Sequence, residues 1–420
     1  MYYTLSIFIS SLSALLAVRW IYFKILKLAK EKGLVDNPDA RKLQKHPVPV
    51  VGGVAVVFGL TFGLLMGGAM LYALNHYIND TTLSMTHLAP IILGIFVMLY
   101  TGCLDDIVGL KPKPRLIIEV GTILGLTLST GLCIDSFQGL WGIYDFSWFL
   151  AIPLTVFAGV GIINAVNMID GVNGLSSGLC IFYCILFSMV FLWIGDIPNA
   201  MLAFTMGSAL LPFFVHNVFG NKSRMFIGDA GTMVMGMLMT WFVISLTNQN
   251  MSHVMLGENV SVVAMLVAFL CVPIADTLRV MTVRVLHGKS PFSPDKTHLH
   301  HAFVALGISH SITALSIITI NFLVVASWLL TVYLGAPLNC QLYTVIIATG
   351  ILVWGTYIFL EHESRSQSKK ALWIRDFSIK THLGKTEWWQ RITYHLDAPE
   401  DSVRRREGHL KWLENKFINR

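Results

Sequence analysis

Apolar runs long enough to cross a lipid bilayer recur along most of the chain, and they limit its fold more than any other feature. A spanning helix needs about 20 mostly apolar residues. Eleven segments meet that need, at roughly 2–23, 50–74, 89–104, 115–133, 148–165, 174–195, 199–218, 227–247, 259–278, 312–334 and 341–360. Of the 420 residues, 55% are hydrophobic and only 13% charged, against about 25% charged in a soluble domain. In lipid every backbone polar group must be satisfied within the protein, which leaves helices or a closed barrel. The short alternating segments of a barrel are absent. The sequence therefore predicts an all-α, polytopic integral membrane protein with about eleven transmembrane helices. The first run has no Lys or Arg in Met1–Ser10 and no small-residue cleavage site after it, so it is read as a retained helix rather than a signal peptide.

Orientation follows from positive charge, since basic loops stay cytoplasmic. Lys and Arg number seven in 24–48, three in 105–115, two in 216–226, four in 279–311 and thirteen in 361–420, while the five intervening loops hold none. The alternation places the N-terminus outside and the C-terminus in the cytoplasm. This bias accounts for the net charge of +6 without any nucleic-acid partner. The six cysteines lie mostly within the apolar runs and include no CxxC pattern, so they read as small apolar fillers rather than metal ligands.

Polar motifs collect at the span ends that the charge count puts on the cytoplasmic side. Asp105 and Asp106 close the third span, ahead of Lys111, Lys113 and Arg115. Adjacent carboxylates repel, which suits a divalent cation or a shared proton, and the nearby basic residues suit a pyrophosphate. A solvated helix end with local ion pairs is the plainer alternative. Asn164, Asn167, Asp170 and Asn173 recur every third position where the fifth span meets the sixth, beside Gly171 and Gly174. Their oxygens suit Mg²⁺ or the edge of a base, where the simpler expectation is a helix boundary with Asn caps. Asp229, in Gly228-Asp-Ala-Gly-Thr232, opens the eighth span either as a metal ligand near bound phosphate or as an N-cap. Asp276 and Arg279 are expected to end the ninth. Ser290-Pro-Phe-Ser-Pro-Asp295-Lys296-Thr-His298-Leu-His300-His301 follows, a basic loop whose histidines suit phosphate or sugar hydroxyls better than zinc, for which a fourth ligand is missing. An ionisable group at membrane depth costs about 2.5–3.5 kcal/mol on insertion scales, so such a cluster calls for a cation or ligand.

With these motifs in order, the chain resembles the polyprenyl-phosphate N-acetylhexosamine-1-phosphate transferases, glycosyltransferase family 4. The resemblance covers about residues 1–360 and rests on Asp-Asn-Pro-Asp-Ala-Arg-Lys (36–42), Pro-Val-Val-Gly-Gly (49–53), Asp105-Asp106, Asn167-Met-Ile-Asp170-Gly, Gly228-Asp229-Ala-Gly, and the segment 290–301. The second and last of these look more like the bacterial undecaprenyl-phosphate GlcNAc-1-phosphate branch than the MurNAc-pentapeptide branch. What the resemblance implies is transfer of a HexNAc-1-phosphate, GlcNAc-1-phosphate first, from a UDP-HexNAc to undecaprenyl phosphate, with UMP released. It implies Mg²⁺, with Mn²⁺ as the substitute, held by Asn167 and Asp229. Asp105 and Asp106 take the catalytic part, their division of labour left open. Lys113 takes the pyrophosphate, with Lys111 as the near alternative. Asp170 and Asn173 take the nucleoside side, and Lys296, His298, His300 and His301 the sugar phosphate. A homodimer in the bacterial inner membrane, with its site on the cytoplasmic face, is likewise implied. Many bacterial members have Asp where this chain has Asn173, so no catalytic carboxylate is available there.

Two features lie outside that resemblance. Residues 361–420 form a basic cytoplasmic tail with Trp373, Trp388, Trp389 and Trp412, a composition suited to membrane lipids, to a partner, or to a solvated extension. The rival class is a transporter or flippase, which would show internal repeats and charge across the midplane. No convincing repeat joins the two halves, and the polar cluster keeps to one side.

Overall fold

The computed structural model describes residues 2–37, 46–78, 88–248, 259–291, 297–366, 368–380 and 383–399. Among the described residues the chain is all-α apart from a two-strand antiparallel pair, β1 (Val35–Asp36) with β2 (Val48–Pro49), and an isolated bridge between Ser136 and Asp145. That pair joins α1 (Tyr2–Lys32) to α2 (Gly52–Ile78). Then follow α3 (Leu88–Val108), α4 (Pro112–Thr130), α5 (Trp148–Met168), α6 (Leu175–Trp193), α7 (Ile197–Phe219) and α8 (Gly228–Thr247). The remainder is α9 (Val262–Phe269), α10 (Cys271–Leu286), α11 (Leu299–Ala305), α12 (His310–Tyr333), α13 (Leu338–Thr349), α14 (Thr356–Ser366) and α15 (Lys369–Lys380). A last helix, α16, covers 387–399.

Among the described residues nine helices are long and apolar enough to cross a membrane, or ten if the bent pair α9–α10 is one span. This is a multi-pass membrane protein. The difference from eleven expected spans lies in α4. It is helical over 19 residues, but Lys113, Arg115 and Glu119 in its first half keep it outside that set. The last span is longer than expected: α13 and α14 run on through a π-helical stretch, Gly350–Gly355, as one span of 29 residues.

At the centre stands α8, whose whole apolar window is buried, packed on α3 and α5. A helix apolar on all sides needs neighbours on all sides, and the sequence Gly-Asp-Ala-Gly-Thr-Met-Val-Met-Gly-Met supplies small residues for close approach and methionines that fill irregular gaps.

The ninth expected span is broken: α9 and α10 meet at 75°. Pro273 has no N–H to give the carbonyl one turn earlier, that of Phe269. In lipid a freed carbonyl must find another donor. Asn321 of α12, fully buried, donates its amide to the carbonyls of Phe269 at 3.0 Å and Ala268 at 3.2 Å. Asp276 and Arg279 therefore lie on the second arm of the break, not at the end of a straight span as expected.

Candidate functional site

The packing of α3, α5 and α8 brings their polar ends to one place. The Asp106 carboxylate, at the end of α3, accepts the backbone N–H of Asp229 at 2.9 Å and of Ala230 at 3.1 Å. It thus caps α8, whose first N–H groups have no partner within the helix. Gly228 makes this approach possible. Its φ is +69°, and a Cβ there would stand 2.5 Å from an oxygen of Asp106. The Pro-Val-Val-Gly-Gly stretch supports the same turn. Gly52 and Gly53 donate to the carbonyls of Phe226 and Ile227 at 2.9 and 2.8 Å, and Phe226 donates to that of Pro49 at 2.8 Å. A Cβ on Gly53 would run into Gly231.

Asp229 faces α5. The Asn167 side-chain amide donates to the Asp229 carboxylate and, at 2.7 Å, to the hydroxyl of Thr232. Asp105 lies beside Asp229 and accepts the N–H of Leu110 at 2.7 Å and the Arg115 guanidinium at 3.1 Å. Arg115 also donates to Glu119 at 3.0 Å, and the other Glu119 oxygen accepts the Asn164 amide at 2.5 Å. Glu119 is fully buried, so these partners are what make its charge tolerable there. Asp105, Asp106, Glu119 and Asp229 thus share one electrostatic neighbourhood with Arg115. Lys113, two residues earlier, is exposed on the first turn of α4. The guanidinium of Arg115 enters the carboxylate cluster.

The donor set is made of hard oxygens with excess negative charge, which suits Mg²⁺. Among the described residues no three His, Cys, Asp or Glu side chains are set to hold a metal by themselves. That matches the way Mg²⁺ is usually bound, by one or two carboxylates with water and substrate phosphates completing the shell. Asp229 offers a carboxylate. Asn167 presents its nitrogen to Asp229, and a half-turn of the amide presents its oxygen instead.

Beyond this cluster the turn between α5 and α6 meets the histidine segment. A Cβ on Gly171 would collide with the ring of His300, so these two sequence motifs are in contact. His300 is buried, its ring stacked on His298 with centroids 5.7 Å apart and against His301 at 4.3 Å. Burial and the neighbouring imidazoles push its pKa well below the usual histidine range, which keeps the ring neutral. Its Nδ1 is buried and has no hydrogen-bond partner among the described residues. His298 is held through Nδ1 by Asp276 at 2.9 Å. Asp276 also takes the N–H of Leu299 at 3.1 Å and the Arg279 guanidinium at 2.7 Å. The break in the ninth span thus carries Asp276 to the base of the histidine segment.

Asp170 is accessible to solvent yet crowded by protein atoms, and desolvation pushes its pKa up to about 6. Ser176 donates to one of its oxygens at 2.6 Å. Asn173 is half-buried, its backbone N–H on His310 at 3.4 Å, while the next N–H, of Gly174, binds the Asn217 side chain at 2.6 Å. Lys296 lies outside the described residues, as do 38–42 of the first motif. Sequence reasoning missed Glu119 altogether, gave no role to Thr232, and read Asn164 as a candidate oxygen donor for Mg²⁺ or a base, whereas its amide binds Glu119. A lone Glu four residues after an Arg inside an apolar run was the available signal.

Comparison with known proteins follows the same motifs. Residues 88–247, from the start of α3 to the end of α8, match the family model of glycosyl transferase family 4. The chain is 30% identical to a probable undecaprenyl-phosphate N-acetylglucosaminyl 1-phosphate transferase of Bacillus subtilis, over 76% of this chain and 82% of that protein. It is 31% identical to the undecaprenyl-phosphate alpha-N-acetylglucosaminyl 1-phosphate transferase of Escherichia coli O157:H7, over 72% and 77%. Its identity to the Yersinia pestis protein of the same name is 27%, over 72% and 76%.

Proposed function

The chain belongs to glycosyl transferase family 4, and on that premise we propose that it transfers GlcNAc-1-phosphate from UDP-GlcNAc to undecaprenyl phosphate, releasing UMP. The observation that carries this reading is the meeting of Asp105, Asp106, Arg115, Asn167 and Asp229, drawn from four helices, at the start of one buried helix. The reaction is a phosphoryl transfer. An oxygen of the lipid phosphate attacks the β-phosphorus of the nucleotide sugar, and the bond to the UMP oxygen breaks. Such a step needs placement and charge compensation more than covalent help.

The residues divide accordingly. Asp229 and Asn167 hold the divalent cation, which when bound neutralises charge on the pyrophosphate. Arg115 adds a fixed positive charge beside them and takes over from Lys113 as the first candidate for the pyrophosphate. Asp106 fixes the first turn of α8. Asp105, restrained by Arg115, steers the lipid phosphate. A phosphate monoester is largely ionised near neutrality, so no strong base is required. Asp170 keeps one oxygen for the nucleoside, beside Asn173. The neutral His300, His298 oriented by Asp276, His301 and Lys296 are assigned to the sugar phosphate.

The site works at the cytoplasmic face of a bacterial inner membrane, with the N-terminus outside, as the distribution of Lys and Arg supports. Residues 1–360 form the transferase unit and 361–420 the tail. A panel of UDP-HexNAc donors, assayed with undecaprenyl phosphate and Mg²⁺, tests the sugar assignment. UDP-GlcNAc is expected to give the highest kcat/KM, and preference for another donor overturns that assignment while leaving the reaction class.

A further inference from the structure

The tail does not simply trail from the last span. α16 turns back onto the loop between α7 and α8, and the side chains it sets against that region, Trp389, Thr393 and Asp397, recur every fourth residue, on one helical face. The Trp389 ring lies 4.4 Å from that of Phe219 at the end of α7. Thr393 donates to the Phe219 carbonyl at 2.7 Å. Asp397 accepts the backbone N–H groups of Asn221, Lys222 and Ser223 at 3.3, 3.1 and 3.0 Å, and the Ser223 hydroxyl at 2.7 Å.

Only 7% of Asp397 is exposed. A buried carboxylate is costly unless its oxygens are satisfied, and here one short loop supplies all four donors. The loop is held at every further step toward the site. The Ser223 carbonyl accepts the Tyr22 hydroxyl at 2.8 Å, and that of Met225 accepts the Asn217 amide at 2.7 Å. Phe226 then pairs with Pro49 at 2.8 Å, and Gly228-Asp229 follow. Between the amides bound by Asp397 and the carboxylate bound by Asn167 there is little free chain to absorb a displacement.

We propose that Asp397 is a positioning residue for the transfer site. By holding the amides of residues 221–223 it fixes the loop that delivers Asp229, although among the described residues the tail contributes no atom to the cluster. The link from this clamp to turnover rests on the function proposed above. The clamp itself does not.

Full-length Asp397→Ala and Asp397→Asn proteins test it by hydrogen–deuterium exchange over 217–229 and by transfer kinetics. In Asp397→Ala the peptides covering 221–229 should exchange roughly 10-fold faster. With Asp229 displaced, kcat should fall about 10-fold or more and the half-saturating Mg²⁺ concentration should rise several-fold. The near-isosteric Asp397→Asn keeps one acceptor oxygen and should fall between wild type and Ala on both readouts. It also decides the matter should the Ala protein not fold. Unchanged exchange in the variants overturns the clamp. Faster exchange with kcat and Mg²⁺ dependence unaltered overturns the positioning role. If the wild-type protein transfers nothing, the proposed function fails, and exchange alone still decides the clamp.

Discussion

The Asp106 carboxylate on α3 receives the backbone N–H of Asp229, 2.9 Å away, at the first turn of α8. One aspartate therefore sets the position of another through the main chain, leaving the Asp229 side chain to face Asn167. An adjacent acidic pair such as Asp105-Asp106 suggests two like groups acting together. In the fold they part, Asp105 to Arg115 and Asp106 to α8.

Gly228→Ala probes that contact most sharply. Its φ of +69° and the 2.5 Å approach to Asp106 leave no room for a methyl group. A left-handed non-glycine residue costs roughly 1–2 kcal/mol, and the loss of the Asp106 cap adds about 1 kcal/mol. The melting temperature of the detergent-solubilised protein should drop by several degrees. Because displacement by about 1 Å costs on the order of 100-fold in rate, transfer should fall by a similar factor. A variant with wild-type stability and rate would show that the cap is dispensable.

Glu119 is the buried member of the Asp105–Arg115–Glu119–Asn164 chain, and its removal should be felt mainly in stability. Glu119→Ala leaves Arg115 buried with one partner fewer, and breaking such a pair costs about 3–5 kcal/mol. Glu119→Gln retains acceptor and donor atoms for Arg115 and Asn164 and should cost less than half as much. Equal melting temperatures for the two variants in a thermal-shift measurement would refute this ordering.

Removal of the two groups assigned to the cation should be read against Mg²⁺ concentration. Asn167→Ala is expected to raise the half-saturating Mg²⁺ concentration about 10- to 100-fold, by analogy with the loss of a supporting ligand, with much of kcat recovered at saturation. Asp229→Ala should lose activity that added Mg²⁺ does not restore. Chelation with EDTA should abolish transfer, and Mn²⁺ should replace Mg²⁺. A titration unaltered in Asn167→Ala would remove that residue from the metal site.

Asp170 supplies a pH dependence with a definite sign. Desolvation pushes its pKa up to about 6, above the unfolded carboxyl value of about 3.9. The folded state therefore binds this proton more tightly, so the group adds stability as pH falls through about 6, and that gain levels off below about 3.9. Binding follows the opposite course. In the nucleoside role proposed for it, the ionised carboxylate would accept a hydrogen bond from the uracil ring, and protonation would remove that ability. The affinity for uridine, which unlike UMP carries no phosphate titrating near pH 6, measured by calorimetry, should weaken below about pH 6 in the wild type. It should be weaker and flat from pH 5 to about 7 in Asp170→Asn. A wild-type profile as flat as that of the variant would sink the assignment.

Much of this arrangement was legible in the sequence because apolar runs stop where polar motifs begin. The ends of α3, α5 and α7 and the starts of α6 and α8 were expected on one side with all eleven apolar runs, α4 included, counted as crossings, and the contacts Asp106–Asp229 and Gly171–His300 join those ends. The break at Leu270 was hidden. The run 259–278 is evenly apolar, and what stabilises the freed carbonyls there is Asn321, about fifty residues further on. Glu119 was missed because its partner Asn164 lies on another helix, and sequence spacing says nothing of which faces meet. The spacing of Trp389, Thr393 and Asp397 marks a buried helical face, but the basic residues around it drew attention to the membrane surface instead.

The central claim is transfer of a sugar phosphate, and one reaction tests it most directly. Purified protein is incubated with undecaprenyl phosphate, Mg²⁺ and UDP-GlcNAc carrying label in both the β-phosphate and the sugar. Both labels should move together into the lipid, unlabelled UMP should be released in equal amount, and Asp229→Ala should yield neither. Sugar reaching the lipid without the β-phosphate, with UDP rather than UMP as the product, would contradict it. So would uptake of intact nucleotide sugar into vesicles with no labelled lipid formed.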